Sequence, residues 1–221
     1  MKHPLLLIWC FLMGACTAPL PHNRVDVKER VPSTIIIVHG LYANANHVRP
    51  VTEGLRGQGF TCFAPNLQPN NGSVPIESLA EQLDTYIEQN VPSRSPLQLV
   101  GHSMGGLVAL QYLQDPQHAA RCRGLYTIAS PHQGTLLASL HGGAAGRQMV
   151  RNSPFLTRLN ARAPSFPVVT YRSPQDLVII PNSSATLYFA DNQVITSDGH
   201  NQILNSPQLL KNLAQRIRWK D

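Results

Sequence analysis

Short apolar runs recur along the chain and predict the buried strands of a sheet. The first, TIIIVHG, has only Ile and Val between Thr34 and His39, which is typical of a strand covered on both faces. The predicted strands are residues 34–40, 60–66, 97–100, 124–130, 166–173 and 185–191.

Amphipathic stretches separate several of these strands and predict helices. The first helix ends near Gly57 and Gly59. In SVPIESLAEQLDTYIEQN the apolar residues recur at helical spacing, and Ser73 or Ser78 is available near the helix start. These apolar positions are Ile76, Leu79, Leu83 and Ile87.

Two further helices follow in the second half of the chain. Leu107, Leu110 and Leu113 lie on one face of a helix that we expect Pro116 to stop. The stretch NQILNSPQLLKNLAQRIRW predicts a closing helix, broken or begun again near Pro207.

The alternation of strands and helices predicts an α/β fold with a mostly parallel central sheet and helices on both faces. The segment at about 131–165 follows the fourth predicted strand. It is too long for a simple connection, so we expect a small cap or lid there.

The N-terminus has the pattern of a leader. LLLIWCFLMGAC is an apolar run of about a dozen residues, too short to span a bilayer but as long as a signal-peptide core. Its end, LMGAC, resembles a bacterial lipobox, with Met13 where leucine is usual. The resemblance implies cleavage before Cys16 and lipidation of that cysteine. We therefore expect a signal peptide at 1–15, a tether at 16–33 and the folded domain at 34–221.

This leader predicts a location in the bacterial cell envelope, with a lipid anchor on Cys16. Thr17, and not aspartate, follows the cysteine, so the resemblance implies the outer membrane if the host is Gram-negative. Two alternatives stay open. Ordinary cleavage, for instance after Ala18, would give a periplasmic or secreted protein, and an uncleaved leader would itself be an anchor.

Composition changes this picture little. The 221 residues, 43% hydrophobic and 14% charged, fit one globular domain. A net charge of +6 is compatible with a nucleic acid or an anionic membrane as partner. The sequence has no dense Lys/Arg run, and QRIRWKD at the C-terminus is typical of a solvated helix end. Nucleic acid is therefore not an expected partner, and the sequence does not indicate an oligomeric state.

Cysteine and histidine spacing argues against a disulfide or a metal. Of four cysteines, Cys10 and Cys16 lie in the leader. Cys62 and Cys122 fall at predicted strands that we do not expect to be neighbours, so we expect no bridge even in an oxidising compartment. There is no CxxC pair, and no metal-ligand spacing stands out among the nine histidines. Neither a metal nor an organic cofactor is expected.

The stretch LQLVGHSMGGLVAL places a sharp turn between a buried strand and a helix. Gly101-His102-Ser103-Met104-Gly105 fits the G-x-S-x-G nucleophile elbow. The elbow presents a serine in a strained conformation, and its two glycines avoid collisions with the neighbouring strand and helix. The helix start directs backbone N–H groups at developing negative charge. The alternative, a phosphate-binding loop, lacks the required Lys and Ser/Thr. We therefore predict Ser103 as a nucleophile.

A serine nucleophile needs a histidine base and an acid that orients it. With this elbow, the order along the chain is serine, acid, histidine. His200 lies in a polar loop between the last predicted strand and the final helix, and is the predicted base. His132 comes too early for this order, and His118 and His141 are expected at the surface.

The predicted acid is Asp176, in SPQDLVIIPNSS after the fifth predicted strand. Asp191, at the end of the sixth predicted strand, is the reserve. Asp198 lies two residues before His200 and is expected to shape the turn.

An oxyanion needs two N–H donors aimed at the point where it forms. Met104, directly after the nucleophile, is predicted to supply one, and Leu41 in the loop HGLYAN the other. His39 in the same loop is expected to be a buried residue whose hydrogen bonds fix the loop.

In order along the chain, VHGLYANANH, GHSMGGLVAL, ASPHQGT, SPQDLVIIPNSS and DGHNQIL resemble the motifs of α/β-hydrolases of the bacterial lipase and esterase type. The resemblance runs from about Thr34 to the C-terminus. It implies the α/β-hydrolase fold, a Ser103–Asp176–His200 triad and cleavage of carboxylic esters through an acyl-enzyme. The segment after SPHQGT is short for an elaborate lid, which weakens the expectation of interfacial activation and of a preference for long-chain triglycerides.

Other functions stay open on the same residues. A phospholipase, a thioesterase or an acyltransferase would use the same triad, and phospholipase activity would suit a basic, membrane-tethered protein. Outside the enzymes, the alternative is a non-catalytic envelope lipoprotein that uses the fold for binding. The expected partners are an ester or lipid substrate and, through Cys16, a membrane.

Overall fold

A six-stranded parallel sheet forms the centre of the protein, in a computed structural model that describes residues 32–220. The strands lie in the spatial order β2-β1-β3-β4-β5-β6, and every neighbouring pair is parallel. The strands are β1 Thr34–Val38, β2 Cys62–Phe63, β3 Leu97–His102, β4 Cys122–Ile128, β5 Val168–Arg172 and β6 Asp191–Val194. The predicted parallel α/β architecture is confirmed.

Helices connect the strands and cover both faces of the sheet. The α-helices are α1 Arg49–Arg56, α2 Ile76–Asn90, α3 Met104–Tyr112, α4 Pro116–Arg121, α5 Ala144–Gln148, α6 Pro154–Leu159 and α7 Pro207–Lys220. Short 3-10 helices span Leu136–Leu140, Asn182–Ala185 and Gln202–Asn205. All four predicted apolar positions of α2 are buried. The residue that precedes α2 is Pro75, and neither predicted serine caps the helix.

Alternation along the strands divides the core into two layers. On β1, Ile36 and Val38 pack with α2 and α3, whereas Ile35 and Ile37 pack on the other face with α1 and α7. Because both faces of the strand are buried, its sequence is continuously apolar rather than alternating.

Two element boundaries differ from the prediction. The apolar run at 185–191 is not a strand, because β6 begins only at Asp191. Leu187 is buried in a turn, where the Asn192 side chain bonds both the N–H and the carbonyl oxygen of Leu187 (3.0 and 2.9 Å). A side chain thus replaces a strand ladder as partner for the backbone. Likewise, α3 ends at Tyr112, and Pro116 begins α4, since its missing N–H costs nothing at a first helical position.

The two cysteines of the folded region lie on strands that are not neighbours, as predicted. Cys62 on β2 and Cys122 on β4 are separated by β1 and β3, and both are buried free thiols. Burial raises the pKa of each thiol to about 12.

The predicted leader (1–15), the lipidation residue Cys16 and most of the tether (16–33) lie outside the described residues. From residue 32 to residue 220, no helix combines the length and the apolar character needed to cross a membrane.

Candidate active site

Ser103 occupies a strained turn between β3 and α3. Its backbone has φ 55° and ψ −128°, a conformation that residues with a side chain rarely adopt. The Ser103 N–H donates to the carbonyl oxygen of Ile128 on β4 (2.8 Å), and the Ser103 carbonyl accepts from Gly106 N–H (3.1 Å). Bonds to the sheet and to the following helix therefore hold the strained backbone in place.

The elbow glycines stand where no side chain fits. A Cβ at Gly101 would lie 2.4 Å from the Gly106 Cα, and one at Gly105 would lie 2.3 Å from the Val38 carbonyl oxygen. These are the predicted collisions with the helix and with the neighbouring strand. Sequence reasoning missed Gly40, where a Cβ would lie 2.7 Å from the Ser103 Cβ. The loop after β1 can approach the serine closely because this residue is glycine.

Asp176 and His200 form a buried hydrogen-bonded pair. The His200 Nδ1 lies 2.8 Å from the Asp176 Oδ2, and the two residues are 8% and 4% exposed. The other carboxylate oxygen, Oδ1, accepts from the N–H groups of Val178 (2.8 Å) and Ile179 (2.9 Å). An ionised carboxylate only accepts, so His200 Nδ1 carries the hydrogen and its Nε2 is left as a base.

Opposing effects act on the Asp176 carboxyl. Burial by itself raises the pKa of Asp176, but the hydrogen bond and charge of His200 lower it, as do the N–H groups of Ile179 and Val178. The lowering effects win, and the pKa of Asp176 lies below its usual value. The acid is therefore ionised at neutral pH and fixes the tautomer of His200.

Ser103 and His200 both line a cavity of about 430 Å³. Most of its wall is apolar and comes from the loop after β1, the segment after β4 and the loop after β5. These residues are Leu41, Pro131, Leu137, Ala138, Met149, Val178 and Ile179. The predicted cap segment thus contributes a wall of the cavity, and its role as a lid stays a prediction.

Two other histidines that the sequence singled out, His39 and His132, are buried and hydrogen-bonded within the fold. His39 is buried, accepts from Leu67 N–H (3.0 Å) and bonds the Gly40 carbonyl (3.0 Å), so it fixes its loop as predicted. Burial lowers the pKa of His39. His132 is fully buried, with its Nε2 2.8 Å from the Thr127 hydroxyl.

His141, expected at the surface, lies at the cavity. It is half-buried and lines the cavity, with its ring centroid 5.9 Å from that of Tyr42. His118 lies in α4, away from the cavity, and pairs with Asp84 (3.0 Å). Sequence reasoning also missed His47 and His102, which line the cavity. The position of His102 within the elbow was the only signal for it.

The reserve acid Asp191 is excluded by its place in the sheet. It begins β6, whereas Ser103 follows the carboxyl end of β3. Parallel strands put these two ends at opposite edges of the sheet. Asp191 forms an ion pair with Arg216 (2.7 Å) at that other edge.

The two predicted N–H donors flank the serine. Met104 begins α3, and Leu41 lines the cavity. The next two N–H groups of the Leu41 loop donate to backbone carbonyl oxygens. Tyr42 N–H donates to Asn70 (2.8 Å) and Ala43 N–H to Gly40 (3.3 Å). The oxyanion roles of Leu41 and Met104 stay predictions. Within residues 32–220, no group of three or more His, Cys, Asp or Glu side chains is arranged to hold a metal ion.

The sequence model of the alpha/beta hydrolase fold family matches residues 33–214. The chain belongs to the α/β-hydrolase fold family. A search of curated protein sequences finds no match to this chain. Solved structures of lipases and esterases share its fold, at identities too low to show more than the fold.

Three of these structures illustrate the similarity. Lipase B of Aspergillus fumigatus superposes with a TM-score of 0.73 at 18% identity, over 85% of this chain and 52% of the lipase. A mature lipase of Bacillus licheniformis gives 0.67 at 14% identity, over 86% and 93%. A thermophilic esterase of Thermogutta terrifontis gives 0.62 at 16%, over 86% and 91%. The chain therefore spans about half the length of the Aspergillus lipase.

In this α/β hydrolase, the three predicted triad residues share one edge of the sheet. Ser103, Asp176 and His200 follow β3, β5 and β6, and carboxyl ends of parallel strands meet at one edge. That edge is where open α/β sheets bind their ligands.

Proposed function

We propose that this α/β hydrolase is a serine hydrolase that cleaves carboxylic esters through Ser103, Asp176 and His200. One observation carries the proposal. A serine in a strained turn opens onto an apolar cavity, and a histidine that lines the same cavity is oriented by a buried carboxylate. A binding protein would have no need for this combination.

The proposed reaction has two halves, formation of the acyl-enzyme and its hydrolysis, and each catalytic group acts in both. His200 Nε2 takes the Ser103 proton as the serine oxygen attacks the ester carbonyl carbon. The N–H groups of Leu41 and Met104 stabilise the oxyanion. When the intermediate collapses, His200 gives its proton to the leaving alcohol. Water then attacks the acyl carbon, with His200 again as base. Collapse of this second intermediate breaks the bond to the Ser103 oxygen, His200 returns the proton to Ser103, and the carboxylic acid leaves. Asp176 stabilises the charged form of His200 in both halves.

The walls around the site favour an apolar acyl group and a polar alcohol. The acyl group fits the apolar cavity, whereas the alcohol must lie near His200, which protonates it. A smaller pocket of about 290 Å³ adjoins on that side and shares two residues with the cavity, His47 and Asn201. Its other polar lining residues are Asn46, Arg49, Gln202 and Asn205.

This smaller pocket favours a phospholipase as the second candidate. Arg49 is exposed at its edge, and no carboxylate lines the pocket within the described part of the chain. A phosphate-bearing alcohol would find a positive charge and several amide donors there. Esters that share one acyl chain and differ only in the alcohol, glycerol against glycerol phosphate, separate the two candidates.

The wall residue Leu137 offers a test of the esterase assignment. We expect purified protein to hydrolyse esters with an optimum acyl length, and Leu137→Ala to shift that optimum to longer chains by enlarging the cavity. The measurement is kcat/KM over a graded series of acyl esters. Leu140→Ala, in the same 3-10 helix but 79% exposed, is the matched control and should leave the optimum unchanged. Folded protein that hydrolyses no ester of any length would disprove the assignment.

We also propose that the protein is anchored in the bacterial cell envelope by a lipid on Cys16. The lipobox-like LMGAC supports this, and so does the short apolar run before it. In cells fed an alkyne fatty acid, wild-type protein should take up the label and stay with membranes, while Cys16→Ser should do neither. Equal labelling of both proteins would contradict the anchor.

A further inference from the structure

His102 lies beneath the loop that carries His200. Alternation along β3 sends Leu97 and Leu99 to the core beside α2 and α3, and Val100 to the opposite core beside α1 and α7. His102 shares the face of Val100, at the carboxyl end of the strand. Its ring centroid is 4.9 Å from that of His200 and 5.3 Å from that of His47.

One nitrogen of His102 contacts the backbone of the proposed base. The His102 Nε2 lies 3.1 Å from the carbonyl oxygen of His200. A carbonyl only accepts hydrogen bonds, so Nε2 carries the hydrogen and donates it. The His102 Nδ1 is buried and, among residues 32–220, has no hydrogen-bond partner.

The His102 ring is neutral in this setting. It is 2% exposed, and burial lowers its pKa to about 3, with the nearby His200 as the next contributor. The other titratable groups that act on it are His47, which lowers the pKa of His102, and Asp176, which raises it. A neutral ring keeps Nε2–H as a constant donor and adds no charge beside His200 when His200 takes the serine proton.

We propose that His102 is a positioning residue for the reaction, whose Nε2–H holds the His200 backbone in place relative to the adjacent Ser103. This inference rests on the proposed function. His102 is bonded directly to Ser103 in the chain, so its hydrogen bond joins the base loop to the nucleophile by a short path. Asp176 fixes the side chain of His200, and His102 fixes the backbone of His200. Together they hold the His200 ring in one orientation.

If His102 only supported the fold, replacing it would lower stability and leave kcat unchanged. A positioning role predicts the reverse. Burying a ring with an unpaired nitrogen costs stability. His102→Phe removes the unpaired Nδ1 but also leaves the His200 carbonyl oxygen without its donor. These two effects on stability oppose each other, so the variant should unfold close to the wild-type temperature. Its kcat should nevertheless fall by about tenfold to hundredfold, the loss expected when a catalytic group is displaced by about 1 Å. KM should stay the same, because His102 holds the base and not the substrate.

Two further variants test the hydrogen bond itself. The side-chain amide of His102→Gln can reach the position of Nε2 and should restore most of kcat. His102→Asn is too short to reach it and should behave like His102→Phe. The control is His118→Phe, the same change at a partly buried histidine of α4, which should leave kcat and KM at wild-type values. Each variant is assayed on one ester, with its active sites counted by a fluorophosphonate probe.

The wild-type protein gives an independent readout. Nitrogen-15 NMR of histidine-labelled protein should show one ring, absent from His102→Gln, that stays in the neutral Nε2–H form from pH 5 to 9. If His102 titrates in that range, or carries its hydrogen on Nδ1, the inference is overturned even if a variant fails to fold. It is also overturned if His102→Phe and His102→Asn keep wild-type kcat. Wild-type protein with neither esterase activity nor probe labelling would instead disprove the proposed function.

Discussion

Ser103→Ala should lower kcat for ester hydrolysis on the order of 10⁵- to 10⁶-fold, the loss seen when a serine nucleophile is removed from a working triad. Without the hydroxyl, no acyl-enzyme can form, and the residual rate comes from the oxyanion donors and substrate binding alone. Alanine keeps the Cβ and the turn, so the fold should remain. The measurement is kcat on the best ester of the graded series, together with covalent labelling by a fluorophosphonate probe.

An exposed serine, Ser139, serves as control for this experiment. Ser139 lies in the 3-10 helix Leu136–Leu140, and its hydroxyl donates to the Leu136 carbonyl oxygen (2.8 Å). Ser139→Ala should label and hydrolyse like wild type. If folded Ser103→Ala retained most of the activity or of the labelling, another residue would be the nucleophile.

Asp176→Asn should lower kcat by about 10⁴-fold, as expected when the acid that fixes the histidine tautomer loses its charge. The amide oxygen can still accept from the Val178 and Ile179 N–H groups, so the local backbone should be kept. It no longer provides a carboxylate for the His200 Nδ1 hydrogen. Asp198→Asn, an exposed carboxylate near His200, is the control and should leave kcat unchanged. Full activity in Asp176→Asn would point to another acid.

The same variant should alter the pH dependence of stability. The folded pKa of Asp176 lies below the usual value of 3.8, so ionised Asp176 stabilises the fold above that pH. As pH falls through the folded pKa, this contribution is lost. The difference in free energy of unfolding between wild type and Asp176→Asn should therefore shift in favour of the variant on acidification below about pH 4. Urea unfolding between pH 7 and pH 3 measures it, and a constant difference would contradict the lowered pKa.

The sequence was most informative where local chemistry decides structure. A strand with one face in water alternates apolar and polar residues, and the run TIIIV does not. It therefore predicts a strand with both faces buried, and β1 is that strand. The elbow was readable because only glycine tolerates backbone atoms at 2.3 to 2.4 Å from a Cβ position. The run at 185–191 misled, because a buried turn needs apolar residues as much as a strand does.

Tertiary structure decided which residues meet. His200 follows Asp176 by 24 residues and His102 by 98, and nothing in their spacing shows that both contact it. The same limit applied to Asp191 and His141, one excluded from the site and the other brought to the cavity wall.

The sequence by itself thus determined the α/β architecture and the strained serine turn, since backbone sterics and the burial of apolar residues act within a few residues. The arrangement of Asp176, His200 and His102, and the cavity beside them, was decided only when strand pairing brought distant loops to one edge of the sheet. Contacts between such loops depend on strand order and register, which a pattern of residue types does not encode locally.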